Sequence, residues 1–309
     1  MITNLKEFFA FSEDGTTNLE KVRKNQKIIR RLPTTDLNQS YESSDNASQD
    51  EELPGVVMKN GKLIGFGIHI FNEDIYPLKC FEIYLRNCGL CGALDLRGCE
   101  DMLFLDVYHN RITGVLTPDL HSMRIFGVQD NLIQEIDCSG MPNCLGIDAG
   151  MNRLREINVT KNPELVELYI NDNQIREVNL TRNSKLKYFY CHNNKITELD
   201  TRNNPHLRHL NATGNPMKRI LCLAPQRDEA LPLDLYSDDG GFVGLKFNPV
   251  YNAQWKETGE WQQSYYAYPE EGFTFVGWYN ERDELVSKEA MWLDEYGMSR
   301  RMTARFEKE

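Results

Sequence analysis

The stretch Leu165–Asn215 is written almost three times over: LVELYINDNQIREVNLTRNSK from Leu165, LKYFYCHNNKITELDTRNNPH from Leu186, and LRHLNATGNP from Leu207. Leu165, Leu186 and Leu207 stand 21 residues apart, and so do Asn173, Asn194 and Asn215. A fixed period of this length marks a stacked architecture, because one such unit cannot bury its apolar edge alone. Worked outward, the first apolar position of each repeat reads Cys80, Met102, Met123, Cys144, Leu165, Leu186 and Leu207. Every step is 21 residues except the first, which is 22 and places one inserted residue near Gly89–Ala93.

The pattern Leu-x-x-Leu-x-Leu-x-x-Asn-x-Ile-x-x-Leu-x-Leu is that of a leucine-rich repeat. It predicts a mainly β fold of about seven repeats, a parallel-sheet horseshoe or right-handed superhelix. Leu85, Val107, Val128, Ala149, Ile170, Cys191 and Ala212 are its inward strand residues. Leu90, Ile112, Ile133, Leu154, Ile175, Ile196 and Met217 form the next interior row. Asn110, Asn131, Asn152, Asn173, Asn194 and Asn215 fall where the chain leaves each strand, with Cys88 in that place in the first repeat. A buried amide there satisfies backbone groups that the bend would orphan, so these asparagines read as structural.

Strand residues alternate inward and outward. Positions three, five and seven of each repeat therefore face solvent: Tyr84 and Arg86; Phe104, Asp106 and Tyr108; Gln129; Asp148; Tyr169 and Asn171; Tyr188, Tyr190 and His192; His209 and Asn211. Core packing does not explain outward aromatics, whereas interfaces favour them. They fall into two groups, Tyr84, Phe104 and Tyr108, then Tyr169, Tyr188 and Tyr190, with small residues Gly127, Gly146 and Gly150 leaving a trough. Seven strands about 4.8 Å apart give a face roughly 30 Å long. With its flanking loops this approaches the ~800 Å² per partner of a standard protein interface.

The flanks differ from the repeats. Residues 1–54 read as a weakly ordered segment and linker, with a short basic helix over Asn18–Arg31. Residues 55–79 (VVMKNGKLIGFGIHIF and onward) read as a hairpin that caps the first repeat, turning at Asn60-Gly61. The repeats span 80–225. After a Pro-containing connection, Leu223–Leu235, residues 236–309 alternate as strands and form a small β-domain. The net charge of −11 is concentrated there: residues 226–309 hold 17 acids and 9 bases, whereas 55–225 hold 19 of each. That balance speaks against a nucleic-acid binder. No apolar run is long enough to cross a bilayer, and MITNLKEFFAFSEDG does not read as a signal peptide.

Sites of chemistry were sought among the cysteines and histidines. Cys88-x-x-Cys91, with Cys80 and Cys99 near, lacks a second paired motif and reads as core thiols rather than a zinc site. His192 and His209 lie on neighbouring strands without an obvious third ligand. No phosphate loop, Gly-x-Ser-x-Gly or Cys/His nucleophile pair occurs. The expectation is no enzyme, no cofactor and no metal.

The repeat as written in Lys187–Pro205 resembles the 21-residue repeats of bacterial internalin-type proteins, in particular internalin J-like repeats with cysteine on the inner strand. Only Cys191 holds that ladder place here, so a continuous cysteine ladder is absent. Gly272–Tyr279 (GFTFVGWY), followed by Thr303–Phe306 (TARF), resembles the B-repeat that accompanies such solenoids, in a divergent form. Alternation places Phe273, Phe275, Trp278 and Phe306 mostly in its core. The resemblance implies a monomeric protein-binding scaffold at a bacterial cell surface or in host interaction, with the β-domain as spacer. Without a signal or wall anchor in the sequence, an intracellular adaptor, immunity or effector protein stays open. So do carbohydrate binding through the same aromatics and a purely spacing role.

Overall fold

The computed structural model describes residues 7–8, 10–18, 20–21, 56–59, 62–66, 81–97, 99–100, 102–225, 230–252, 254, 256–294 and 300–309. They form two compact units, residues 1–153 and 154–309, each built on turns of a leucine-rich repeat solenoid.

In the first unit the strands are β1 (Val56–Lys59), β2 (Lys62–Phe66), β3 (Phe81–Tyr84), β4 (Cys91–Asp95), β5 (Met102–Asp106), β6 (Arg111–Leu116), β7 (Ile125–Gly127) and β8 (Gly146–Asp148). One sheet runs β1-β2-β3-β5-β7-β8, and β4 pairs with β6 on the return side. The pairs β3–β5, β5–β7 and β7–β8 are parallel. Strands stay three to six residues long because each turn must bend back to stack. A register irregularity falls between Gly92 and Ala93, in the window where the 22-residue step places its extra residue. Leu105, Phe126 and Ile147 fill the interior behind the strands, beside Val107, Val128 and Ala149 and then Leu90, Ile112 and Ile133.

The hairpin β1–β2 adds to the sheet through a parallel contact between Phe66 and Ile83. Its expected turn, Asn60-Gly61, lies outside the described residues, as does Cys80. Most of the expected helix Asn18–Arg31 also lies outside them, although Asn18, Glu20 and Lys21 are helical. Where composition alone reads weak order, Phe8 and Asn18 are packed. Asn18 is fully buried, its amide donating to Phe8 O and Cys91 O at 2.8 Å and its Oδ1 accepting from Cys91 N–H at 3.0 Å. It thus pairs both backbone groups of Cys91, the first residue of β4.

The second unit contains β9 (Glu167–Tyr169), β10 (Tyr188–Tyr190), β11 (Glu198–Asp200), β12 (His209–Asn211), β13 (Arg219–Pro225), β14 (Ala230–Ser237), β15 (Gly241–Tyr251), β16 (Glu257–Pro269), β17 (Phe273–Asn280), β18 (Leu285–Ser287), β19 (Met291–Asp294) and β20 (Arg301–Lys308). Its repeat sheet runs β9-β10-β12 and continues without a break into β15-β16-β19. A second sheet runs β11-β13-β14-β20-β17-β18. The residues expected to connect the repeats to the β-domain, Leu223–Leu235, instead build much of the β13–β14 pair. The reason lies in unpaired edges. The last turn leaves open edges at β12 and β13, which β15 and β14 cover as antiparallel partners.

Trp278 and Tyr265 are fully buried between these sheets, with Phe275 and Phe306 in edge-to-face contact at 5.6 Å. The paired strands β17 and β20 carry the GFTFVGWY and TARF segments.

The asparagine ladder sits where the spacing puts it. The Oδ1 atoms of Asn131, Asn152, Asn173, Asn194 and Asn215 accept from Ile112, Ile133, Leu154, Ile175 and Ile196 N–H at 2.9–3.1 Å. Asn110 Oδ1 accepts from both Cys88 and Leu90 N–H at 3.0 Å. Each amide also donates to carbonyls of its own strand. The residue before each of these asparagines has a left-handed backbone: His109, Asp130, Met151, Asp172 and Asn193 at φ 53–55° and Gly214 at 65°. A second row, Asn162, Asn183 and Asn204, is also buried. Asn183 donates to Val159 O and Asn162 O, and Asn204 to Leu180 O and Asn183 O, at 2.8–3.1 Å.

Candidate functional site

Backbone register arranges the outward residues of the second unit in rows across the strands. Tyr188 pairs with Glu167 on one side and His209 on the other, and Tyr190 with Tyr169 and Asn211. The phenol rings stand on the outer face because Leu168, Phe189 and Leu210 between them are turned inward and buried. Tyr169 and Tyr190 meet edge-to-face at 5.2 Å, and Tyr188 stacks on His209 at 4.4 Å and 16°. Tyr190 stands edge-on to His192 at 6.3 Å. Tyr169 Oη donates to Glu167 Oε2 at 3.4 Å. The three tyrosines are half-buried, held by one another yet open on one side.

Two expected face residues are not open. His209 is only 7% exposed, since β15 runs past the short β12 and brings Tyr251 Oη to 3.4 Å from His209 Nε2. Asn171 is 9% exposed, its amide turned onto Asp172 Oδ2 at 2.7 Å. Burial pushes both His209 and His192 below the ordinary imidazole pKa, outweighing Glu257 near the first and Asp172 near the second. Both therefore carry less charge near neutral pH than a solvent-exposed imidazole. Beside the cluster, Arg208 bonds Glu257 at 3.0 Å and lies over the Trp261 ring at 5.5 Å.

The face extends beyond the last repeat, which the repeat pattern alone did not reveal. Asn211 pairs with Lys246 of β15, which pairs with Ser264 of β16. Lys246 is exposed, and Tyr266 and Tyr268 are half-buried with parallel rings 6.3 Å apart. Tyr268 Oη accepts from Gly214 N–H at 3.3 Å. The signal was present in the alternation of SYYAY, but repeat counting stops before it.

In the first unit Tyr84 lies in β3 with its side chain outside the described set. Phe104 is half-buried and Tyr108 exposed, the latter 5.8 Å from His109. Arg86 Nε donates to Asp106 Oδ2 at 2.6 Å, so these two charges satisfy each other. Gln129 Nε2 lies 3.9 Å from Met151 Sδ, and Asp148 accepts from Gly150 N–H at 3.3 Å. Gly127 is close-packed: a Cβ there would lie 3.1 Å from Leu105 O.

Among the described residues no group of three His, Cys, Asp or Glu side chains is placed to hold a metal ion. Burial pushes the thiols of Cys99, Cys144 and Cys222 up to about 12, and those of Cys138 and Cys191 higher still. Core sulfur of this kind is no nucleophile at neutral pH. No described helix is long and apolar enough to cross a membrane.

Repeat period, asparagine ladder and parallel sheet define a leucine-rich repeat fold. No family model matches the chain, and no curated protein matches it. Among solved structures it is similar to the functional domain of internalin J from Listeria monocytogenes, which includes a cysteine ladder, with 16% identity over 67% of this chain and 57% of that one, TM-score 0.42. It is also similar to a leucine-rich repeat protein of Leptospira interrogans, with 23% identity over 38% and 33% of the two chains, TM-score 0.35. A further Listeria monocytogenes internalin shares 19% identity over 45% and 43%, TM-score 0.38. The chain spans between a third and three-fifths of the length of these proteins.

Proposed function

We propose that this chain is a non-enzymatic scaffold that captures a protein partner on its outward sheet face, with Tyr169, Tyr188 and Tyr190 at the centre. One observation carries the reading: three half-buried phenols, aligned by strand register, face outward while a full apolar core lies behind them. Rings already ordered by their neighbours lose little entropy on binding, and their hydroxyls supply polar tips. His192 and the flanking Asn211 and Lys246 add hydrogen-bonding groups around the rings. In the first unit, Tyr108, Phe104, Gln129, Asp148 and the Arg86–Asp106 pair are the proposed contacts, with Tyr84 included by sequence position. The net charge of −11 favours a protein over a nucleic-acid partner.

The test is capture by the immobilised full chain from extracts, quantified by mass spectrometry, against the Tyr169→Ala/Tyr188→Ala/Tyr190→Ala variant. Specific capture should be lost in the variant while its melting temperature stays near that of the parent. Equal capture by both removes the face from consideration. A glycan array run with the same two proteins reports carbohydrate recognition, which would replace the proposal if it alone gave tyrosine-dependent binding.

A further inference from the structure

The strand β19 is the last of the β9-β10-β12-β15-β16-β19 sheet, and among the described residues nothing pairs with its far side. Which of its backbone groups face outward follows from the ladder. Ala267 N–H donates to Ala290 O at 2.8 Å, and the register sets Tyr265 opposite Trp292 and Gln263 opposite Asp294. In an antiparallel pair hydrogen-bonded residues alternate. Trp292 therefore spends its backbone on β16, while Met291 and Leu293 present N–H and C=O to the open edge.

Their side chains are unusual for such a place. Met291 is 61% and Leu293 38% exposed, and Leu285 and Val286, a few residues earlier, are 45% and 38% exposed. Natural sheet edges are commonly blunted by charge or proline at these positions. Here the charge lies in the preceding and following sequence instead: Glu281–Asp294 contains five acids and two bases, with Asp283 paired to Arg305. Two copies joined through this edge would bring like charges together.

We propose that β19 accepts an extended segment of a basic partner, which adds as a further strand, its apolar side chains meeting Met291 and Leu293 and its Lys or Arg meeting the acidic flanks. Leu293 continues the row of Tyr169, Tyr190, Asn211, Lys246 and Ser264, but it lies four strands from Tyr190, and strand addition at this edge does not require the tyrosines.

The probe is a ten-residue peptide alternating Val and Lys, with an alternating Val and Glu peptide as control. On adding the Lys peptide, the outward amides of Met291 and Leu293 should exchange hydrogen markedly more slowly, and binding should weaken with salt. Leu293→Pro removes one outward donor while leaving the β16 pairing intact, and should abolish binding. Met291→Lys with Leu293→Lys, which keeps the backbone, should do the same at unchanged melting temperature. The Tyr169/Tyr188/Tyr190 triple variant should bind the peptide as the parent does. Equal binding of the Glu peptide, no protection at residues 291 and 293, or protection that grows with protein concentration alone would each overturn the proposal, the last in favour of self-association.

Discussion

Asn194 shows how much one side chain of the ladder carries. It accepts from Ile175 N–H at 2.9 Å and donates to Ile170 O at 2.9 Å and Cys191 O at 3.0 Å, all buried. Alanine there strands three polar groups, each costing ~1–3 kcal/mol when left unpaired out of water. Asn194→Ala should lower unfolding free energy by about 3 kcal/mol, seen as a lower denaturant midpoint at constant slope. The neighbouring left-handed positions make the opposite kind of prediction. Most are held by Asn, Asp, His or Gly, but Met151 sits at φ 53° and is 44% exposed. A side chain of that type pays roughly 1 kcal/mol in this region that asparagine largely avoids. Met151→Asn should raise the melting temperature; a value equal to or below the parent's would show that the backbone strain is absent.

At the scale of elements, the long strands β15 and β16 matter because they belong to two structures at once. They extend the repeat sheet from β12, and they carry the core of the β-domain. Trp278 on β17 lies against this core, fully buried, 5.8 Å from Tyr265 and 5.7 Å from Phe275, its Nε1 donating to Glu289 O at 3.1 Å. Trp278→Ala should cost ~3–5 kcal/mol. Because Leu210 and Asn211 pair directly with Phe247 and Lys246, amide exchange in β12 should accelerate along with that in β17. Unchanged protection at β12 would mean that the β-domain loosens without disturbing the last repeat. A spacer joined by a connection would give that outcome; strands shared between repeat and domain would not.

Taken over the whole molecule, the histidines predict how stability follows pH. His192 and His209 are held below the ordinary value, ~6.5, chiefly by burial. The unfolded chain therefore takes up these protons first as pH falls. Where the unfolded state binds more protons, stability rises with pH, so the unfolding free energy should drop as pH is lowered from about 6.5 toward the depressed folded values. His209→Gln should flatten that drop, and an unchanged slope would show that the burial of His209 has no linkage to folding. Asp200, lowered mainly by its hydrogen bond with Arg202, adds a loss in the same direction only in the carboxylate range, below roughly pH 4.

The sequence by itself determined the repeat, its 21-residue step, the interior rows and the ladder, because stacking forces each chemical role to recur at one spacing. It also gave the outward tyrosines, since alternation along a strand is local. What it did not contain locally was the fate of the edges. That Asn18 pairs the backbone of Cys91 in β4 across 73 residues, that β15 continues the sheet and covers His209, and that Lys246, Tyr266 and Tyr268 join the face are long-range pairings. No periodicity encodes them. They are decided in three dimensions, where an unpaired strand edge and an exposed apolar end find the segment able to satisfy both.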